Sequence, residues 1–267
     1  MKLIMIKISL LLLAAVNLCT CGRTEPANED QVKSAKPMAL SITALSPNPQ
    51  STNSTSIKPL LNKALTTYHS SQVMVVTARS ATSSRARLTA FIYQNGTWKK
   101  VYTMPAAIGK NGITPHLQEG SKQSPSGIFT LGPAFGIGKK PDDVTIPYRQ
   151  TTNQDYWVEN PYSPDYNKWV TYEGDPKKRW KTFEPLRIPA YKYAVVINYN
   201  TNPIIKGKGS AIFLHVLLPE KSYTLGCTAV SESDMLTLLK WLNPSRHPLI
   251  IQGTISQLKA LTNRANT

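Results

Sequence analysis

The sequence predicts a mainly β domain with a few peripheral helices, and three observations carry that prediction. First, the segments 88–93 and 97–103 flank Asn95-Gly96, the strongest short-range hairpin signal. Second, Tyr191, Tyr193, Val195, Ile197 and Tyr199 alternate with the period of a strand. Third, two short apolar runs, 73–77 and 211–217, have strand length rather than helix length. The second run carries His215.

The start of the chain is read as targeting rather than fold. Lys2 and Lys7 flank the start of an apolar stretch, 8–18, that is short for a membrane span but typical of an export signal. It ends in Leu18-Cys19-Thr20-Cys21. A leucine three residues before a cysteine resembles a bacterial lipobox, although Thr20 stands where Gly, Ala or Ser is usual. On this reading residues 1–20 are a lipoprotein-type signal and Cys21 is the lipid anchor; an ordinary cleaved signal is the alternative. Gly22, not an acid, follows Cys21, which favours the outer membrane where the host has one. The expected location is the cell envelope, facing periplasm or wall.

Removing residues 1–20 removes two lysines and no acids, so the formal charge falls from +16 to +14. Such an excess favours anionic surroundings, such as wall polymer or lipid headgroups. An exported chain rarely meets nucleic acid, and no nucleic-acid partner is expected. Residues 21–57 are rich in Ser, Thr, Pro, Asn and Ala and read as a flexible tether. Residues 58–71 read as a short helical lead-in, opening at Pro59 with Leu60, Ala64 and Tyr68 on one face. The remainder, 72–255, is long enough for one domain with its own core.

Within that domain, 105–147 is dense in Gly and Pro and must turn often. Residues 148–190 are polar and aromatic without a clear period and read as a long excursion that shapes a binding face. Ser231 and Asp234 form a helix-capping pair. Met235, Leu238, Leu239 and Leu242 repeat at helical spacing, Pro244 stops the helix, and 249–252 is a last strand.

Cys227 is the one cysteine of the folded domain, since Cys19 and Cys21 lie in the export-signal region. A lone thiol in an exported domain is either a buried passenger or a nucleophile. His215 lies twelve residues before it, near enough for a strand, a loop and a return. An imidazole there can take the thiol proton and leave a thiolate–imidazolium pair. Gly226 permits a tight turn, so the Gly226 and Cys227 amides are candidate oxyanion donors. A core cysteine and a core histidine are the competing structural reading. His69, His116, His215 and His247 lack ligand-like spacing, so no metal is expected.

The run from Gly209 through Ser210 and His215 to Thr224-Leu225-Gly226-Cys227 resembles the signature of the L,D-transpeptidase (YkuD-like) family. That signature has a histidine on a strand, then Ser or Thr, any residue, Gly and Cys. Upstream, Ser124-Pro125-Ser126-Gly127-Ile128-Phe129 resembles the family's Thr-Pro-x-Gly-x-Phe element. The resemblance covers roughly 72–253 and implies a sandwich-like or partly barrelled sheet. It implies a peptidoglycan partner and no cofactor. It further implies that Cys227 attacks the stem peptide, that His215 is general base and acid, and that an amine or water resolves the thioester. Three functions follow as alternatives: a transpeptidase, an L,D-carboxypeptidase trimming tetrapeptides, and a non-catalytic wall-binding lipoprotein. Thr224, Ser210, Tyr166 and Asn167 are the candidate substrate-binding residues. The family's frequent arginine two residues after the cysteine is Ala229 here, leaving Arg149, Arg187 or the aromatic segment 156–169 as substitutes.

Overall fold

Apolar residues on both faces of one curved sheet decide this architecture. The computed structural model describes residues 54–263. The export signal, the Cys21 anchor and the tether as far as residue 53 lie outside the described residues. Helix α1 (Ser54–Tyr68) leads into β1 (Gln72–Ala78), β2 (Arg85–Gln94) and β3 (Thr97–Ala107). Two short strands, β4 (Ile113–Thr114) and β5 (Ser124–Pro125), precede β6 (Gly127–Gly136) and β7 (Tyr148–Gln150). The excursion holds β8 (Asp155–Val158), β9 (Trp169–Thr171), α2 (Pro176–Arg179) and β10 (Phe183–Pro185). Then come β11 (Ala194–Ile197), β12 (Phe213–Val216), β13 (Thr228–Val230), α3 (Glu232–Trp241), β14 (Leu249–Thr254) and α4 (Ile255–Asn263).

The main sheet has nine strands in the order β11-β12-β13-β3-β2-β1-β14-β6-β7, and pairing of β6 with β11 closes it into a barrel. This is the barrelled form of the expected sheet. Met74, Val76, Leu88, Leu214, Val216 and Ile250 fill its interior together with α3 residues Met235, Leu238 and Leu239. The alternate residues of β1 and β14, Val73, Val75, Leu249 and Ile251, face outward beneath α1 and α4. On the far side, Phe135, Ala194, Val196 and Phe213 face outward beneath the excursion. Strands buried on both faces read as continuous apolar runs, which is why 73–77 and 211–217 lack alternation. Each fully buried large side chain contributes about 1.5–3 kcal/mol.

The hairpin expected at Asn95-Gly96 joins β2 to β3, with Gln94 opposite Thr97. Both turn residues have positive φ, 53° and 76°, as the type I′ turn requires. Ser231 Oγ accepts from Asp234 N at 3.1 Å and so caps α3.

Four details depart from expectation. Helix α1 begins at Ser54, and Pro59 lies inside it. Pro59 lies past the first turn and removes one helical hydrogen bond, yet Leu60, Leu61 and Ala64 still pack. The strand expected over 191–199 is confined to Ala194–Ile197, because Pro189 opens a 3₁₀ turn that carries Tyr191. Helix α4 was not expected; it extends β14 and packs Leu258 and Leu261 outside the barrel. The excursion is itself a three-stranded sheet, β10-β8-β9.

Asp155 organises that second sheet. One carboxylate oxygen accepts from Arg149 Nη2 at 2.6 Å, Trp169 Nε1 at 2.8 Å and Thr171 Oγ1 at 2.8 Å. The other accepts from Thr152 N at 2.8 Å and Thr152 Oγ1 at 3.0 Å. Burial alone would raise the carboxyl pKa, but the Trp169 and Thr residue hydrogen bonds outweigh it and hold it below the ordinary value. Asp155→Asn is therefore expected to cost about 3 kcal/mol. Because the folded pKa is lowered, the wild-type contribution is complete above the ordinary carboxylate pKa. It is lost as pH falls through the folded value, a loss the variant lacks. Urea denaturation of both proteins across acidic pH checks this.

Candidate active site

Two loops from distant parts of the chain meet at the cysteine. The Gly109 segment after β3 pairs with Thr224 in a parallel bridge, and Thr224 N donates to Ile108 O at 2.9 Å. Ser124, fully buried, accepts from Gly109 N at 2.9 Å and donates to Gly226 O at 2.6 Å, with Cys227 O at 3.2 Å. Thr224 Oγ1 donates to Cys227 O at 2.6 Å and accepts from Gly226 N at 3.2 Å. The Gly226 amide thus serves the turn, leaving the Cys227 amide as the candidate oxyanion donor. A Cβ on Gly226 would press within 3.2 Å of Gln123 O, so glycine suits this close approach.

The register of β12 and β13 places the two chemical groups. The strands are parallel, with Leu214 opposite Thr228 and His215 opposite Ala229. Phe213 N donates to Cys227 Sγ at 3.3 Å. Phe213 and Cys227 belong to the outer cluster beneath the excursion, and His215 alternates with the inward-facing Leu214 and Val216. His215 and Cys227 therefore share the outer face, one pleat apart.

They are brought together but not bonded. The thiol donates instead to Ala211 O at 3.2 Å. Ala211 has φ 55°, a left-handed conformation that alanine adopts only at a cost of about 1–2 kcal/mol. His215 Nδ1 lies 2.9 Å from Val216 O. A carbonyl only accepts, so Nδ1 carries the hydrogen and Nε2 is the basic nitrogen. The rings of Tyr191 and His215 meet edge to face at 5.3 Å.

Both groups are deeply covered: His215 is 8% exposed and Cys227 7%. Burial pulls the imidazole down to about 4, against the backbone groups of Val216 and Ala190, which favour its charged form. Burial also pushes the thiol pKa up, as does Glu184, while Phe213 N pulls it back. Burial thus works against the charged form of each group. The thiolate–imidazolium pair expected from spacing must therefore form against the cost of covering both groups.

The four candidate substrate-binding residues brace the site from within. Tyr166 Oη and Ser210 Oγ both donate to Glu119 Oε2, at 2.6 and 2.7 Å. Asn167 Oδ1 accepts from Trp157 Nε1 at 2.8 Å and Ala211 N at 3.2 Å, while its Nδ2 donates to Tyr199 O and Asn200 O. Thr224 closes the turn, as above. The polar atoms of these residues are thus engaged within the protein. Arg149 is held by Asp155, and Arg187 donates to Thr151 O at 2.6 Å. Ser124 was legible from its motif. No sequence signal marked Glu119, Glu184 or the Ala211 carbonyl.

A groove of about 1060 Å³ is lined by Ala107, Pro189, Lys192, Val216, Leu217 and Pro219 among others. Cys227 and His215 do not line it, but Val216 and Pro189 adjoin His215 and Ala190 in sequence.

A buried neutral histidine makes the fold acid-sensitive. Its folded pKa, about 4, lies below the ordinary 6.5, so the unfolded chain binds the extra proton first. Stability is complete above about pH 6.5 and falls by about 3 kcal/mol towards pH 4. His215→Gln is expected to lack that part of the acid loss, read by denaturant midpoints at both pH values.

A sequence model of the YkuD family, the L,D-transpeptidase catalytic domain, matches residues 76–251. No curated protein matches significantly. Among solved structures, Bd1075 of Bdellovibrio bacteriovorus is similar at 16% identity, with TM-score 0.38, over 72% of this chain and 53% of that one. The helical cell shape determining protein Pgp2 of Campylobacter jejuni is similar at 15% identity, with TM-score 0.38, over 68% and 47%. The chain spans about half the length of each. The matched segment contains β12, the Cys227 turn and the Ser124 element, and the chain belongs to the YkuD family of L,D-transpeptidase catalytic domains.

Proposed function

We propose that this domain is a cysteine-dependent L,D-transpeptidase acting on peptidoglycan stem peptides. One observation carries the reading: within a YkuD-family domain, the Ser124 element grips the Gly226–Cys227 carbonyls while β12 sets His215 on the same face.

The reaction begins when the thiol leaves Ala211 O and its proton passes to His215 Nε2. The sulfur attacks the carbonyl of the third stem residue, a diamino acid reacting at its L centre. The Cys227 amide donates to the developing oxyanion. Collapse breaks the bond to the terminal D-alanine, whose amine takes the proton back from His215. A thioester remains on Cys227, and an amine from a neighbouring stem resolves it. The groove that Pro189 and Val216 help to line, beside Ala190 and His215 in sequence, suits an extended peptide approaching His215.

The domain, 72–255, sits at the end of the tether and is carried to the wall by a lipid on Cys21. The strongly basic chain favours that anionic setting.

Purified tetrapeptide muropeptides incubated with the protein are expected to give cross-linked dimers by mass. Tripeptides alone would make it a carboxypeptidase, and unchanged substrate would make it a wall binder. Cys227→Ala is expected to abolish turnover; retained activity would overturn the thioester route. Mass analysis of the envelope-bound protein is expected to find diacylglycerol on an N-terminal Cys21. An unlipidated mature chain would remove the anchor.

A further inference from the structure

Position 229 is alanine, and Arg149 and Arg187, the expected substitutes for an arginine there, are engaged elsewhere. Arg149 is held by Asp155 and Thr171, and Arg187 by Ile137 O and Thr151 O. The sheet register singles out a different arginine.

His215 on β12 stands opposite Ala229 on β13, Ala229 opposite Ala107 on β3, and Ala107 opposite Arg85 on β2. These four residues form one row across the sheet, and directly paired residues share a face. Their neighbours Val216, Val230, Ala106 and Ala86 pack on the barrel interior, so the row itself lies on the outer face. Three strand spacings of about 4.8 Å separate the backbones of His215 and Arg85. Within the row, only the methyl groups of two buried alanines lie between them.

Arg85 also lines the 1060 Å³ groove, together with Ala107, Pro189 and Val216. Both acids of that groove are occupied: Glu232 accepts from Lys192 Nζ at 2.6 Å, and Asp234 from Ser231 Oγ at 2.6 Å. The Arg85 guanidinium and the Lys221 ammonium, both exposed, have no partner among the described residues. A groove whose acids are engaged and whose free charges are cationic suits an anionic ligand. Of the two cations, the guanidinium presents a planar fork that matches a carboxylate, and it alone shares the row of His215.

We propose that Arg85 binds the C-terminal carboxylate of the donor stem, that of the terminal D-alanine, across the two alanines from His215. The inference rests on the reading of His215 as the group that returns a proton to the leaving amine. In D-alanine the amine and the carboxylate are borne on one carbon. A peptide whose scissile nitrogen meets Nε2 therefore extends its carboxylate only a few bonds further, along the row toward Arg85. Alanine at 229 keeps that row clear for a side chain that enters from β2. The contact also measures length: a stem with one further residue sets a neutral amide where the carboxylate belongs and leaves the guanidinium unpaired.

The test is binding to the Cys227→Ala protein, in which no thioester forms. Isothermal titration calorimetry compares two synthetic stem tetrapeptides that differ only in a C-terminal carboxylate or carboxamide. With Arg85 present, the acid is expected to bind roughly tenfold tighter than the amide. With Arg85→Gln added, the two are expected to bind alike, the amide as tightly as before. Lys221→Gln is expected to keep the preference. Equal binding of acid and amide with Arg85 intact would overturn the proposal. So would a preference that survives Arg85→Gln or disappears with Lys221→Gln, or an acid peptide that does not bind at all. If Arg85→Gln loses its circular dichroism spectrum or weakens both peptides, Arg85→Lys decides, since it keeps the charge and removes the fork: a reduced preference supports the contact and an unchanged one refutes it. No turnover is measured. Inactivity on muropeptides alongside an Arg85-dependent preference would refute the transpeptidase reading alone, and cross-linking without that preference would refute the Arg85 contact alone.

Discussion

Ser124 Oγ is the atom on which the site depends. It is fully buried and shared among Gly109 N, Gly226 O and Cys227 O. These groups belong to loops far apart in sequence, and no regular ladder reaches them all. A buried backbone group without a partner costs about 1–3 kcal/mol, so this hydroxyl does for the turn what a strand does elsewhere. Thr224 adds a second grip on the same Cys227 carbonyl. The backbone of the cysteine is therefore fixed before its side chain has any chemistry to do.

The outer face of β6, β11 and β12 answers two demands that oppose each other. Phe135, Phe213, Trp157 and Tyr191 interlock there edge to face and close one side of the fold. Excluding water stabilises that cluster and discourages charge on Cys227 and His215 alike. Polar groups enter only where a partner meets them: Asn167 with Trp157, Asp155 with Trp169, Glu119 with Tyr166 and Ser210. The same cover that steadies the barrel works against ionisation of the thiol.

Legibility in the sequence tracked locality. The Asn95-Gly96 hairpin and the Ser231 cap were readable because their causes lie within a few residues. The barrel was less so: its closure rests on pairing between β6 and β11, which no local pattern encodes. Tyr191 fell into a false alternation with Tyr193 and Val195, and Pro189 was the overlooked signal. At the site, Cys227, His215, Gly226 and Thr224 stood out through motif spacing. Their burial did not, because the covering excursion shows no period. Tyr166, Asn167 and Ser210 were picked out for their place near the motif. Their roles emerged only with Glu119 and Ala211, whose positions depend on tertiary contacts.

Asn167 has a mechanical consequence. It sits at φ 57° on the excursion, and its single Oδ1 holds both Trp157 of the cover and Ala211 N of the barrel loop. The carbonyl of that same Ala211 receives the thiol proton. Any displacement of the cover away from the barrel must break the Asn167 bond or drag Ala211 with it. Either way the acceptor that quiets the sulfur shifts. The position of the cover and the setting of the thiol are thus geared to one another through one side chain.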